Sequence, residues 1–177
     1  MRRWGITANS KDMKKLLYVI AAAFCFVACE SNTPDGGSKT KDDYVDLGLT
    51  SGTKWKAINE SNDYGNSVFF YWAIESFEKN IPTKEQWEEL IDECTWTWTY
   101  RGYKLIGSNG NSITLPAGGY CFDGSELHNS GSTGFYWSST PSDHENTWGL
   151  CFENFEGGVF MLDISRSKYA LSVRLVK

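Results

Sequence analysis

The chain has 177 residues, with 17 Lys and Arg against 22 Asp and Glu, so its net charge is −5 at neutral pH. Without residues 1–28, the remaining net charge is about −9. Such an acidic surface repels phosphate backbones, and no basic cluster with interleaved aromatic residues follows, which argues against nucleic acid as a partner. The length of residues 44–177 suits a single domain with one core.

The N-terminal segment has the layout of an export signal. Lys14 and Lys15 precede an uninterrupted apolar run of 13 residues, 16–28, which is too short to span a bilayer. A signal's charged region normally lies directly against its apolar run, so we expect translation to start at Met13. Residues 1–28 are therefore predicted to be a cleaved signal peptide.

The apolar run ends in Phe-Val-Ala-Cys, residues 26–29, which resembles the lipobox of bacterial lipoproteins. That motif prefers leucine where this chain has Phe26. The resemblance implies lipidation of Cys29 and an outer-membrane lipoprotein that faces the periplasm or the cell surface, held to the membrane by its lipid anchor. The alternative is an ordinary cleaved signal with an incidental cysteine. Residues 29–43 are polar and contain paired glycines, which is typical of a flexible tether.

The folded domain is predicted to span residues 44–177. Val45, Leu47 and Leu49 alternate, which predicts a first strand. A helix follows, because Thr83 and Gln86 have the spacing of a capping box. Its apolar stripe is Trp87, Leu90, Ile91 and Cys94, and its opposite face, predicted to be solvated, carries Glu85, Glu88, Glu89, Asp92 and Glu93.

The rest of the chain is predicted to form strands and hairpins. Asn109-Gly110 and Gly157-Gly158 each separate two stretches of strand-like sequence. Leu171, Val173 and Leu175 share one face of a last strand. Since this pattern matches that of the first strand, we expect the N-terminal and C-terminal strands to pair.

The cysteines of this domain have no metal-binding spacing. Cys94 lies on the apolar face of the helix, whereas Cys121 and Cys151 lie in predicted strands. A disulfide between Cys121 and Cys151 and two buried thiols are both consistent with the pattern.

Polar loops carry the candidates for catalysis and metal binding. His128 and His144 both lie in such loops, which is typical of solvated histidines and not of a catalytic triad. Oxygen-bearing side chains cluster at Asp143, Glu145 and Asn146, which makes this loop the best candidate for a calcium site.

Aromatic side chains supply a candidate ligand surface. Trp55, Trp87, Trp137 and Trp148 follow helix or strand periodicity and are predicted to lie in the core. Trp96, Trp98 and Tyr100 alternate with threonines, so an extended stretch would place them on one face. Flat aromatic faces stack on sugar rings, and these three residues are therefore the predicted ligand-binding platform.

Five motifs in this order resemble the Fibrobacter succinogenes major paralogous domain, found in lipoproteins of Bacteroidota. They are YVDLGLTSGTKW, IPTKEQWEEL, NGNSITLPAGGY, FYWSST and ALSVRLV. The helix start and the terminal SVR are also similar to the C-type lectin-like and formylglycine-generating-enzyme-like superfamily. The resemblance implies an α+β fold, a compact C-type lectin-like domain of mostly antiparallel strands and hairpins with one amphipathic helix.

Three departures limit what the resemblance implies about activity. The stretch between Trp72 and Ile81 is short, the calcium-binding triplets of lectins are absent, and no cysteine pair matches that of the oxidase branch. We therefore expect a non-catalytic, lipid-anchored binding or adhesion module of the cell envelope, with a glycan or a protein as ligand and no cofactor beyond the calcium candidate. The alternatives are a degenerate enzyme of the formylglycine-generating type and a purely structural envelope lipoprotein.

Overall fold

A computed structural model describes residues 43–60, 69–71, 80–154 and 158–177. The predicted signal peptide, Met13, the lipidation site Cys29 and all but the last residue of the tether lie outside these ranges, as do residues 72–79 of the short stretch and Gly157. Within the described ranges, no helix is long and apolar enough to cross a membrane.

The architecture of the described residues is α+β, with one short helix and several small, mostly antiparallel sheets. The elements are β1 Tyr44–Asp46, β2 Lys54–Lys56, β3 Phe70–Tyr71, α1 Lys84–Glu93, β4 Thr95–Thr99, β5 Gly102–Ile106, β6 Ser112–Pro116, β7 Tyr120–Phe122, β8 Leu127–His128, β9 Thr133–Pro141, β10 Asn146–Glu153, β11 Val159–Ser165 and β12 Tyr169–Leu171. They form four sheets with strand orders β1-β2, β11-β10-β9, β3-β12-β7-β8 and β4-β5-β6.

The sheet β11-β10-β9, called the central sheet below, separates two hydrophobic cores. Successive side chains of a strand point to opposite faces, so Tyr136 of β9 lies in one core and Trp137 in the other. The larger core comprises Leu47, Leu49, Trp55, Trp87, Leu90, Leu105, Ile113, Leu115, Ala117, Tyr136, Leu150, Phe152 and Val176. The smaller core comprises Ile81, Trp137, Ile164, Leu171, Val173 and Leu175.

Three of the four tryptophans predicted to be buried are so. Trp55, Trp87 and Trp137 are at most 1% exposed. Trp148 is the exception, because it is only partly buried and the Lys84 ammonium lies 4.9 Å from the centre of its ring. The ammonium covers one face of the indole ring, and Trp148 remains partly accessible to solvent.

The helix begins as predicted. The Thr83 hydroxyl accepts the N–H of Gln86 at 3.2 Å, and the Gln86 side-chain oxygen accepts the N–H of Thr83 at 2.9 Å. Trp87 and Leu90 are fully buried against the larger core. The capping box and the apolar stripe together fix where α1 starts and which face it buries.

The acidic face of α1 was predicted to be solvated, and the structure agrees only in part. Glu89 accepts both the N–H and the hydroxyl of Ser51, each at 2.7 Å. Glu93 accepts the N–H of Thr50 at 2.9 Å. Two of the five carboxylates therefore hold the turn between β1 and β2 against the helix.

The prediction that the first and last strands pair is corrected in detail. β1 pairs with β2, because a turn in which the N–H of Gly52 donates to the Leu49 carbonyl reverses the chain. The C-terminal residues then pair with β2, where Lys54 and Lys177 exchange backbone hydrogen bonds of 2.9 and 3.0 Å. The two ends of the domain do meet, with β2 between β1 and the C-terminus.

The Asn109-Gly110 hairpin joins β5 and β6, but its loop has five residues, 107–111. Gly110 has φ +82°, a conformation that glycine adopts without strain. The side-chain amides of Asn109 and Asn111 donate to the Asp46 carbonyl at 3.0 and 2.8 Å. The longer loop thus ties the hairpin to β1.

Candidate functional site

The predicted ligand platform lies on β4, at the edge of the sheet β4-β5-β6. The stretch is extended as predicted, but Trp96 and Trp98 are half-buried and the three threonines of β4 are exposed. Trp96 and Trp98 pack against the larger core, where both indoles meet the edge of Phe152 at 6.4 Å between ring centres. The aromatic face therefore covers the core and the threonine face lies outward.

Two further contacts fix this arrangement. The Trp96 indole N–H donates to the Leu90 carbonyl at 3.1 Å, and Tyr103 of β5 packs edge-on against both indoles. Tyr100, in the turn after β4, is 88% exposed. Of the three predicted platform residues, only Tyr100 presents most of its ring to solvent.

The predicted calcium loop is organised as a turn. One carboxylate oxygen of Asp143 accepts the N–H groups of Glu145 and Asn146, at 2.7 and 2.8 Å, and the other accepts the Asn146 amide at 2.9 Å. These hydrogen bonds stabilise the charged carboxylate and lower the pKa of Asp143. The Arg166 guanidinium donates to the Asp143 carbonyl at 2.7 Å. Asp143 thus caps a turn with the oxygens that a cation would need.

Glu145 and His144 of the same loop line a shallow pocket of about 350 Å³ together with Arg166 and Ser167. Its charges are mixed, with one carboxylate and one guanidinium. Within the residues that the structure describes, no three His, Cys, Asp or Glu side chains are grouped so that they could hold a metal ion.

The three cysteines of the domain retain their thiols, so Cys121 and Cys151 are not joined by a disulfide. Both are 1% exposed. Burial, with the nearby Glu153 carboxylate, raises the pKa of Cys151 to about 12, and burial raises the pKa of Cys94 to about 11. Because the thiolate is the nucleophile and the metal ligand, these thiols are poorly suited to either role at neutral pH.

A surface that sequence analysis did not predict forms where β7, β8, β9 and β12 meet. Tyr120 packs against Phe135 at 4.8 Å and against Tyr169 at 5.7 Å between ring centres, and Tyr169 packs against Phe122 at 5.0 Å. The imidazole of His128 stacks on Tyr120 at 5.5 Å. We call these five residues the aromatic band.

Cross-strand pairing explains why the aromatic band is continuous. Tyr120 lies opposite His128 and Phe122 lies opposite Tyr169, and residues directly opposite each other in an antiparallel pair share a face. The band borders the smaller core, is partly buried over most of its length, and ends at Phe122, which is 38% exposed.

Polar groups surround the aromatic band. The Ser125 hydroxyl lies 2.9 Å from Nε2 of His128, in the β7–β8 turn. Asp123, directly after β7, and Asn129, directly after β8, are the only described residues other than glycine with positive φ, at 49° and 54°. Such conformations are uncommon for non-glycine residues and cluster at binding sites. Aromatic rings with an adjacent hydroxyl and imidazole can stack on a sugar ring and bind its hydroxyls.

The Ser125–His128 contact differs from a catalytic triad in one respect, because among the described residues the His128 ring makes no hydrogen bond to a carboxylate.

The aromatic band was missed because its members are far apart in the chain. The segment Tyr120-Cys121-Phe122, followed by Asp123-Gly124, carries the only local signal, a short alternating strand before a turn. Phe135 and Tyr169 join it only through the packing of β9 and β12.

Residues 83–176 match the family described as Domain of unknown function (DUF8237). No curated protein and no solved structure matches the chain.

Proposed function

We propose that this chain, which belongs to the family described as Domain of unknown function (DUF8237), is a non-catalytic binding module of the cell envelope. The ligand proposed first is a glycan, bound at the aromatic band. We further propose that Cys29 carries a lipid anchor and that the domain is of the C-type lectin-like kind, related to the Fibrobacter succinogenes paralogous domain.

The observation that carries the glycan proposal is the row of ring contacts from Phe135 to Phe122. Aromatic rings at a surface stack on the apolar faces of sugars, and stacked aromatic residues are frequent hot spots of binding. The neighbouring Ser125 hydroxyl and His128 imidazole supply hydrogen-bonding groups of both kinds. Backbone hydrogen bonds from Asp123 to the Lys168 carbonyl at 2.7 Å and from Ser125 to the Phe122 carbonyl at 2.8 Å anchor the β7–β8 hairpin, and an ordered loop loses less entropy on binding.

The chemistry of the thiols supports the non-catalytic part of the proposal. The pKa of Cys151 is about 12 and that of Cys94 about 11, so both are protonated at neutral pH. Cys121 is buried in β7, on a different sheet from Cys151. An enzyme of the formylglycine-generating type would need an accessible, reactive pair.

Two features support a C-type lectin-like fold. The ends of the domain meet at β2, and the helix α1, with its capping box, precedes a series of hairpins with irregular loops. Both agree with what the motif order implies for that superfamily.

A glycan array with wild-type protein and two single variants tests the ligand and its site. Phe122→Ala should weaken binding at least about tenfold, because it removes an exposed stacking ring. The melting temperature should change little, since Phe122 is 38% exposed. Tyr100→Ala, which removes the most exposed aromatic residue of the β4 region, should bind as wild type does.

The outcomes separate the two aromatic surfaces. If Tyr100→Ala loses binding and Phe122→Ala does not, the ligand binds beside β4 and the aromatic band is not the site. If the wild-type protein binds no glycan on the array, the glycan proposal is wrong.

A further inference from the structure

Strand β11 is a long edge of the central sheet. It spans seven residues, Val159–Ser165, and within the part of the chain that the structure describes it pairs on one side only, with β10. The edge strands β3 and β8 of the neighbouring sheet have two residues each. A long, flat edge presents a row of N–H and C=O groups on which another strand can pair.

The register shows which backbone groups of β11 point outward. The N–H of Arg166 donates to the Glu145 carbonyl at 3.0 Å, and the N–H of Glu153 donates to the Gly158 carbonyl at 3.3 Å. Hydrogen-bonded pairs alternate along an antiparallel ladder, so Phe160, Leu162 and Ile164 bond to β10. The outward groups are those of Val159, Met161, Asp163 and Ser165, and among the described residues none of these backbone groups has a hydrogen-bond partner.

This edge lacks the usual protection. Natural edge strands carry proline, lysine, a bulge or an inward-pointing charge, whereas β11 reads Val-Phe-Met-Leu-Asp-Ile-Ser. The one charge, Asp163, is turned back toward the β9–β10 turn. Its carboxylate accepts the Ser142 hydroxyl and, at 3.4 Å, the Asn146 amide. The carboxylate is therefore held away from the path of an incoming strand.

The sequence of β11 is self-complementary in an antiparallel register centred on Leu162. In that register Leu162 faces Leu162 of a second copy, Phe160 faces Ile164, and Asp163 faces Met161, so no two like charges lie opposite each other. The outward groups of the two strands then meet in hydrogen-bonded pairs, which gives about eight backbone hydrogen bonds. Apolar residues continue across the junction on the face that carries the smaller core.

Charges at the two ends of β11 also complement each other in this register. Gly158 would face Arg166 of the second copy, and Gly158 already lies beside Glu153 of β10. Glu153 and the second copy's Arg166 would then be about 10 Å apart at their Cα atoms, two strand spacings, with only a glycine between them. That distance lets a guanidinium and a carboxylate meet, once at each end of the symmetric pair, if on pairing the Arg166 guanidinium turns from the Asp143 carbonyl to which it donates at 2.7 Å.

We propose that two copies of this chain pair through their β11 strands, antiparallel and centred on Leu162, so that the two central sheets become one six-stranded sheet. The interface is isologous, as expected for a twofold dimer. The partner is a second copy because the apolar residues and the end charges of β11 both match when an identical strand lies antiparallel to it.

Photocrosslinking between two differently tagged, co-expressed full-length chains tests this pairing. Replacing the exposed Phe160 by p-benzoylphenylalanine should give an adduct of twice the chain mass that contains both tags. Mass spectrometry should place the crosslink within residues 159–165 of the other copy. The same crosslinker at Thr97, on the exposed face of β4, is the matched control and should give no adduct between copies.

Met161→Pro removes one outward N–H, a change that edge strands tolerate, and should lower the adduct yield at least about tenfold without a large change in melting temperature. If Met161→Pro does not fold, Ser165→Pro removes another outward N–H with the same expected loss. An adduct of undiminished yield in the folded variant, an equal adduct at Thr97, or crosslinks only to other proteins would each overturn the proposal.

Discussion

Arg174 is a fully buried cation whose three hydrogen-bond acceptors come from two segments, residues 56–59 and strand β6. Its guanidinium donates to the Asn59 side-chain oxygen at 2.9 Å and to the backbone carbonyls of Lys56 and Thr114, each at 2.6 Å. Burial lowers the pKa of Arg174 to about 10, so it stays charged at neutral pH. The side chain joins β2 and β6 where no strand pairing connects them.

Replacing Arg174 by Met should lower the free energy of unfolding by about 3–5 kcal/mol, because buried acceptors lose their donor. Arg174→Lys is the matched control, since an ammonium keeps the charge but lacks the planar fork that reaches three acceptors. We expect an intermediate loss in denaturant titrations. A Met variant as stable as wild type would show that Arg174 is replaceable by an apolar side chain.

Cys151 should make stability depend on alkaline pH. Its pKa lies near 9 in the unfolded chain and at about 12 in the folded one, so folding favours the neutral thiol. The stability that comes from keeping this thiol neutral is complete below about pH 9 and is lost as pH rises toward 12. By pH 10 the loss of unfolding free energy is about 1 kcal/mol. Cys151→Ala, which cannot titrate, should lose less stability between pH 7.5 and 10. If wild type and Cys151→Ala lose the same stability between pH 7.5 and 10, Cys151 is not the group responsible.

At the scale of elements, helix α1 and the β1–β2 turn are held together by carboxylates. Glu89 accepts two hydrogen bonds from Ser51. Glu89→Ala should lower the free energy of unfolding by about 1 kcal/mol and speed hydrogen exchange at the amide of Ser51. Asp92→Ala, an exposed carboxylate of the same helix, is the control and should change neither. If the Ser51 amide exchanges at the same rate in both variants, the turn holds its shape without the helix.

At the scale of the whole molecule, the proposed lipid anchor on Cys29 would determine where the protein resides. If Cys29 carries acyl chains, Cys29→Ser should move the protein from the membrane fraction to the soluble fraction, because two acyl chains bind a membrane firmly. Fractionation with immunoblotting measures the change, and Cys25→Ser, in the apolar run itself, is the control that should remain with membranes. A Cys29→Ser protein that partitions like wild type would rule out the anchor.

Local sequence alone determined the elements whose signals lie within a few residues. The capping box at Thr83 and the stripe beginning at Trp87 define α1, and the Asn109-Gly110 pair defines a hairpin, because helix caps and turns depend on side chains close in sequence. Burial followed from periodicity for Trp55, Trp87 and Trp137.

Only the tertiary structure decided which aromatic residues face solvent and which charges are used internally. The alternation in β4 placed Trp96 and Trp98 on one face, but whether that face lies toward Phe152 or toward solvent depends on strands far away in the chain. The same holds for Asp143, whose oxygens serve its own turn, and for Arg174, whose acceptors lie 60 or more residues away. Periodicity divides a strand into two faces, and the packing of distant segments determines which of them is buried.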